Sequence, residues 1–130
     1  MPRIKITIPY TAKLSKNVAL KRTRTGMAKS KATKAEQDRI HYMVKGAIHY
    51  AHSKPFIPGH KVWLKIMVYR PRDPAEKRTG DIDPINVLDV MADAVKGAIG
   101  VDDDVFSAVV DWRVEKENPR IEIIIEQEVE

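Results

Sequence analysis

An α+β domain, with a mixed sheet and helices packed on it, is predicted by the order of apolar patterns along this 130-residue chain, which runs β-α-β-α-β-β. Three observations carry that prediction. Apolar and polar residues alternate near both ends, at Ile4, Ile6 and Ile8 and again at Ile121, Ile123 and Ile125, the period of a half-buried strand. Two stretches, about 30–52 and 84–99, repeat apolar residues at helical spacing. Between them the run 60–69 is β-branched and aromatic enough for a central strand.

The first strand is expected over 3–8, ending at Pro9. Residues 10–29 hold few large apolar groups and a cluster of cations, Lys13, Lys16, Lys21, Arg22, Arg24 and Lys29. Positive self-repulsion without a core stripe reads as an arm or long loop that a partner would order. Ser30 or Thr33 is positioned to cap a helix running to about His52, with Ile40, Met43, Val44, Ala47 and Ile48 as its buried stripe. Pro55, Pro58 and Gly59 break the chain before the central strand. A second basic loop follows at 70–80. The second helix is expected from Pro84, a favourable first-turn residue, to Ile99, closed by Gly100, with a core stripe of Ile85, Leu88, Ala92, Val95 and Ile99. Two last strands, about 105–115 and 120–128, flank a turn at Glu117-Asn118-Pro119-Arg120 and suggest a hairpin.

Composition narrows the function. Hydrophobic residues make up 43% and charged residues 32% of the chain, which excludes disorder by composition. No run approaches the ~20 apolar residues of a membrane span, and the start lacks a signal peptide's apolar stretch. The chain has no cysteine, which excludes disulfides, thiolate metal sites and cysteine nucleophiles. A cytoplasmic single domain over residues 1–130, with no membrane partner, is the expectation. Charge is lopsided: residues 1–80 carry 19 Lys and Arg against 4 Asp and Glu, net +15, while residues 81–130 carry 4 against 14, net −10. The basic part would attract a polyanion through phosphate contacts and counterion release. Two solvated surfaces attracting each other are the plainer alternative.

Chemistry concentrates in Asp81-Ile82-Asp83 and Asp102-Asp103-Asp104. Two carboxylates ~4 Å apart repel by about 4 kcal/mol at an effective dielectric near 20. Such a pair keeps a proton or binds a cation. Mg²⁺ takes one or two carboxylates with waters and substrate phosphate, and basic loops beside it suit phosphodiester hydrolysis. The two clusters flank a helix of about 16 residues, ~24 Å long. They meet only if the loop after Gly100 folds back or a partner completes the site. Simpler readings exist: Asp81 and Asp83 complement a helix N-terminus, and the Asp triple is a solvated turn. An EF-hand fits poorly, with Asn86 and Ala92 at its glycine and glutamate positions. His49 and His52 lack companions for a zinc site, and Asp89 and Asp93 sit where solvation is the default.

The run Gly80-Asp81-Ile82-Asp83-Pro84-Ile85-Asn86, then Asp93-Ala94-Val95, then Gly100-Val101-Asp102-Asp103-Asp104, resembles the RusA family of Holliday-junction resolvases. Tyr69-Arg70-Pro71 and the basic loop after it match the same layout, over about residues 60–128; before residue 55 only Pro9 and Ser15-Lys16-Asn17 are similar. The resemblance implies a bacterial or phage-encoded, Mg²⁺-dependent endonuclease (Mn²⁺ as substitute) that acts as a homodimer on branched DNA in recombination and repair. It also implies Asp81, Asp83 and either Asp102 or Asp103 as catalytic metal ligands, with Asp104 as the remaining register. Two-fold pairing suits a four-way junction, which offers two equivalent strands.

Two departures stand out. Pro84 takes the place of the family's Asn, and Asn86 is the nearest substitute. The family's helix lysine is missing from Asn86-Val87-Leu88-Asp89-Val90; Lys96 is nearly three turns from Asp83, which leaves Lys77 or Arg78 as stand-in. An electrostatic contribution of roughly 10²- to 10³-fold depends on that replacement. DNA backbone contacts are expected from Lys13, Lys16, Lys21, Arg22 and Arg24 in the arm, and from Arg70, Arg72, Lys77 and Arg78 in the second loop. Trp63, Trp112, Tyr10 and Phe106 are available to stack on bases but read first as core. A non-catalytic binder of branched DNA with the same fold is the alternative, and an acid-base interaction module the third.

Overall fold

The computed structural model describes residues 2–11, 20–23, 26–29, 31–50, 55–78 and 81–128. Its main sheet has four strands in the order β1-β6-β4-β5: β1 (Arg3–Pro9), β4 (Val62–Arg70), β5 (Phe106–Val114) and β6 (Arg120–Gln127). Strand β6 runs antiparallel to both β1 and β4, whereas β4 and β5 are parallel. Among the described residues, two α-helices, α1 (Lys31–Tyr50) and α2 (Leu88–Ile99), accompany the sheet. The mixed sheet and the α+β class match the sequence reading.

Alternation sets which face is buried. Ile4, Ile6 and Ile8 of β1, Val62, Leu64, Ile66 and Val68 of β4, and Ile121, Ile123 and Ile125 of β6 all point into one core with Ile40 and Val44 of α1 and Val90, Met91, Ala94 and Val95 of α2. Each of these Ile, Leu, Val and Met side chains contributes about 1.5–3 kcal/mol on burial. Polar bonds lock the layers. Gln37 Nε2 donates to the Val90 carbonyl at 2.9 Å, joining the helices. Buried Gln127 clamps the segment before β4, accepting from Ile57 N–H at 2.8 Å and donating to the carbonyls of Ile57 and His60 at 2.8 and 3.0 Å.

Four expectations need correction. The stretch 10–29, expected as an arm or loop, contains a two-stranded antiparallel ladder, β2 (Leu20–Thr23) with β3 (Gly26–Lys29). Helix α1 starts at Lys31, so Thr33 is an interior, buried helical residue and not a cap; Ser30 and His52 lie outside the described residues. The second helix opens with a separate 3-10 turn, Pro84–Val87, before α2. That tighter turn shifts the phase: Ile85 is 66% exposed, and the buried stripe runs through Val87, Val90, Met91, Ala94 and Val95. The segment is apolar on most sides, so its periodicity alone was ambiguous. Gly100 closes α2 as expected, with φ 72° and its N–H on the Lys96 carbonyl at 3.0 Å.

The fourth correction concerns the last two strands, which form no hairpin. Strand β4 lies between them, and residues 115–119 step over its end, where Glu115 N–H donates to the Arg70 carbonyl at 2.8 Å. Composition explains the choice. Arg-Ile-Glu-Ile-Ile-Ile-Glu-Gln is the richer in β-branched residues and takes an interior slot, while Phe-Ser-Ala-Val-Val-Asp-Trp-Arg-Val goes to the edge. A parallel β4–β5 pair also requires a crossover, and α2 supplies it. One consequence governs the site: α2 begins at the carboxyl end of β4 and finishes at the amino end of β5.

Candidate active site

At the carboxyl end of β4 the chain leaves through the basic segment 71–78 and returns at Asp81. Ile82 is 2% exposed, and this anchor turns the flanking Asp81 and Asp83 away from the core. Its N–H donates to Tyr10 Oη at 2.9 Å, fixing the backbone between the two carboxylates. Tyr10, considered as a base-stacking ring, is thereby a positioning residue. Burial raises its phenol pKa above the ordinary value, against the lowering effect of that hydrogen bond.

Each carboxylate holds a cation. Arg72 Nη1 donates to Asp81 Oδ1, and Arg78 N–H donates to Asp81 Oδ2 at 3.0 Å. The Arg72 hydrogen bond, then the Arg78 N–H, keep the Asp81 carboxyl below the usual carboxylate range. Lys77 Nζ pairs with Asp83, whose pKa is lowered by that hydrogen bond and charge. The Asp83 carbonyl accepts Asn86 N–H at 2.9 Å, opening the 3-10 turn. Arg70 is 6% exposed, with its guanidinium 5.0 Å from the Trp112 ring centre, so its charge is held inside the domain. It still acts at a distance on Asp81 and Asp83.

The second cluster stands at the other end of α2. Val101 is buried, and Asp102, Asp103 and Asp104 form an exposed turn ahead of β5. Lys96 serves two acids, Asp93 at 3.4 Å and Asp103 at 3.7 Å, and the Asp103 charge is the first cause of its raised pKa. Among the described residues, no three His, Asp or Glu side chains lie close enough to hold one ion. The structure thus brings Asp81 and Asp83 together with Arg72, Lys77 and Arg78, and leaves Asp102 and Asp103 apart from them within one chain.

Of the cations expected on DNA, Lys13, Lys16 and Arg24 lie outside the described residues. Lys21 and Arg22 fall on β2. Of the aromatic residues, Phe106 packs against the core, and Trp63 is half-buried with Lys61 Nζ 4.1 Å from its ring centre. Trp112 is 43% exposed at the sheet edge. The donor chemistry of Asp81 and Asp83 fits a hard divalent ion, since two carboxylates with water and phosphate are a usual Mg²⁺ set. Arg72 and Lys77 show the positive charge that this pair attracts.

Paired carboxylates set among arginine and lysine thus stand where the chain enters the βα crossover. The family model described as Endodeoxyribonuclease RusA matches residues 9–126, nearly the whole chain, and the protein belongs to that family. No curated protein matches the chain. Among the described residues, no helix is long and apolar enough to cross a membrane.

Proposed function

We propose that this protein is a Mg²⁺-dependent endonuclease that resolves Holliday junctions as a homodimer, in DNA recombination and repair. The observation that carries the reading is Asp81 and Asp83 held on either side of buried Ile82, each paired with a cation of the 71–78 segment, in a chain of the RusA family. Asp81 and Asp83 would hold the ion, and Mn²⁺ would substitute for Mg²⁺. When bound, the ion supplies Lewis acidity and an activated water for attack on the phosphodiester.

The chain's own side chains do the remaining work. The Asp81 carboxyl is held below the ordinary carboxylate range, because Arg72 and the Arg78 N–H stabilise its charged form. Arg72 and Lys77 can transfer from carboxylate to substrate phosphate without leaving the site, and this supplies the positive charge that the missing helix lysine would have given. Arg70, fixed under Trp112, adds a constant positive field. In the homodimer a second protomer offers Asp102 and Asp103 as the further ligand that one chain's geometry withholds.

Replacing Asp81 tests this. Asp81→Asn should abolish Mg²⁺-dependent junction cleavage, by roughly 10²- to 10³-fold or more, while junction binding in a gel-shift assay persists or tightens. Unchanged cleavage refutes the assignment. A non-catalytic binder of branched DNA is favoured by one observation, the prior pairing of both carboxylates with internal cations. On that reading the unaltered protein cuts no junction, flap or duplex with either metal, yet binds junctions at low salt.

A further inference from the structure

The cations around Asp81 and Asp83 outnumber the acids they serve. Arg72 and Lys77 take the two carboxylates, and among the described residues Arg70 is left without an acid of its own. Yet Arg70 is 6% exposed, and a buried charge ordinarily has a paired, hydrogen-bonded partner. The contact its guanidinium makes is with an aromatic ring: Cζ lies 5.0 Å from the centre of the Trp112 indole. Among the described residues, no buried side-chain nitrogen lacks a hydrogen-bond partner. The unshared donors of Arg70 therefore end at the surface, on top of a covered stem.

The sheet register puts the ring and the guanidinium on one side. Trp112 stands opposite Val68, and Arg70 follows Val68 by two residues on β4. By the two-residue period of a strand, all three share a face, and it is the face where Val68 is buried with the helices. Because β5 is an edge strand, the indole is not closed over: Trp112 remains 43% exposed. The 3-10 turn that follows Asp83 lies against this same strand. Both carboxylates also feel the Arg70 charge. An open indole and a set of unshared guanidinium donors thus border Asp81 and Asp83.

We infer that Arg70 and Trp112 form a subsite for one unpaired nucleotide beside the two carboxylates. Arg70 donates to the phosphate, which suits the planar fork of a guanidinium. Trp112 stacks its open face on the base of that nucleotide, as aromatic side chains do with single strands. Neither residue selects a nucleotide alone, since a cation takes any anion and an exposed indole any flat apolar group. Held together, they demand both features in one ligand. A base inside a duplex is stacked on both faces and offers none to Trp112. The subsite therefore prefers DNA with an unstacked base, such as a branch point supplies. The inference rests on the DNA-cutting reading of the proposed function and adds the state of the nucleotide that the site receives.

The test uses the full chain in EDTA, so that no strand is cut. In a Trp63→Phe background Trp112 is the remaining tryptophan, and its fluorescence reports on stacking. A short oligothymidylate should quench that emission saturably, whereas relaxed closed-circular duplex at the same nucleotide concentration should leave it unchanged. Affinity for a dye-labelled oligothymidylate, read by anisotropy, should fall about tenfold or more in Trp112→Leu and less in Trp112→Phe. Arg70→Lys keeps the charge but loses the fork, and should weaken binding several-fold. Circular dichroism checks folding; Trp112 is partly exposed, so its variants decide the question even where Arg70→Lys fails to fold. Emission indifferent to the single strand, equal quenching by the circular duplex, or unchanged affinity in either folded variant, Trp112→Leu or Arg70→Lys, overturns the inference. Junction cleavage with Mg²⁺ is read separately: saturable quenching in a protein that never cuts sinks the nuclease reading alone, and a cutting protein whose Trp112 ignores single strands sinks the subsite alone.

Discussion

At the amino end of α2, Asp81 and Asp83 each hold a separate cation, and the backbone between them is pinned by buried Ile82 and by Tyr10 from the far end of β1. At the carboxyl end, Lys96 is divided between Asp93 and Asp103, and the Asp102–Asp104 turn stands exposed. Both are short acidic runs beside one buried apolar residue, Ile82 or Val101. The difference lies in what surrounds them. The first end is a constructed site with long-range ties, whereas the second is a local turn with a shared counter-ion. The predictions below press on that contrast.

The largest expected effect breaks the contrast or makes it functional. If a second copy carries the exposed turn to the Asp81–Asp83 site, then Asp102→Asn or Asp103→Asn, tested separately, should lower junction cleavage by roughly 10²- to 10³-fold in at least one case. Folding should be unaffected, because both positions are exposed. Full activity in both variants would mean that the amino-end pair works without them. A cleavage time course with Mg²⁺, run beside a thermal melt, decides it.

The next effect is on stability, and it probes the tie that makes the amino end rigid. Tyr10→Phe removes the hydroxyl that accepts Ile82 N–H and strands a partly buried donor, at a cost of about 1–2 kcal/mol. Because the bond sits between Asp81 and Asp83, cleavage should fall along with stability, and chemical denaturation would show the loss directly. No comparable side chain ties Val101 in place among the described contacts, so this sensitivity belongs to one end only.

Much of this contrast was readable in the residues themselves. The strands 3–8 and 120–127, the central strand and the Gly100 stop all follow from period-two alternation, β-branching and the left-handed tolerance of glycine. Asp81 and Asp83 were legible because two carboxylates around one isoleucine, next to a basic segment, have few cheap resting states. Other features were hidden for physical reasons. Which strand lies between β5 and β6 depends on sheet pairing over more than fifty residues, beyond the reach of a local turn signal. The Tyr10–Ile82 bond joins positions 72 residues apart, and the phase of α2 turned on a 3-10 turn within a segment apolar on most sides. Burial of Arg70 was equally invisible, since an arginine at the end of a strand looks like the start of a basic loop.

The smallest effect is in the pH dependence of stability, and it has opposite sign at the two ends. The folded-state pKa of Asp81 lies below its unfolded value, ~3.9, through the Arg72 hydrogen bond first. Its contribution is therefore present above that unfolded value and disappears as pH falls through the folded one. Lys96 is shifted the other way, raised above its unfolded ~10.4 by Asp103 and Asp93. Its contribution is present below that value and disappears as pH rises through the folded pKa. Thermal melts from pH 5 down to pH 3 should show the unaltered protein losing more than Asp81→Asn, while Lys96→Met follows the unaltered protein. Melts from pH 9 up to pH 11 should show the reverse, with a shallower difference, because Lys96 is a surface group whose pairing water and salt screen. Equal acid sensitivity in Asp81→Asn and the unaltered protein would show that Arg72 does not stabilise the ionised carboxylate, and with that the electrostatic distinction between the two ends of α2 would disappear.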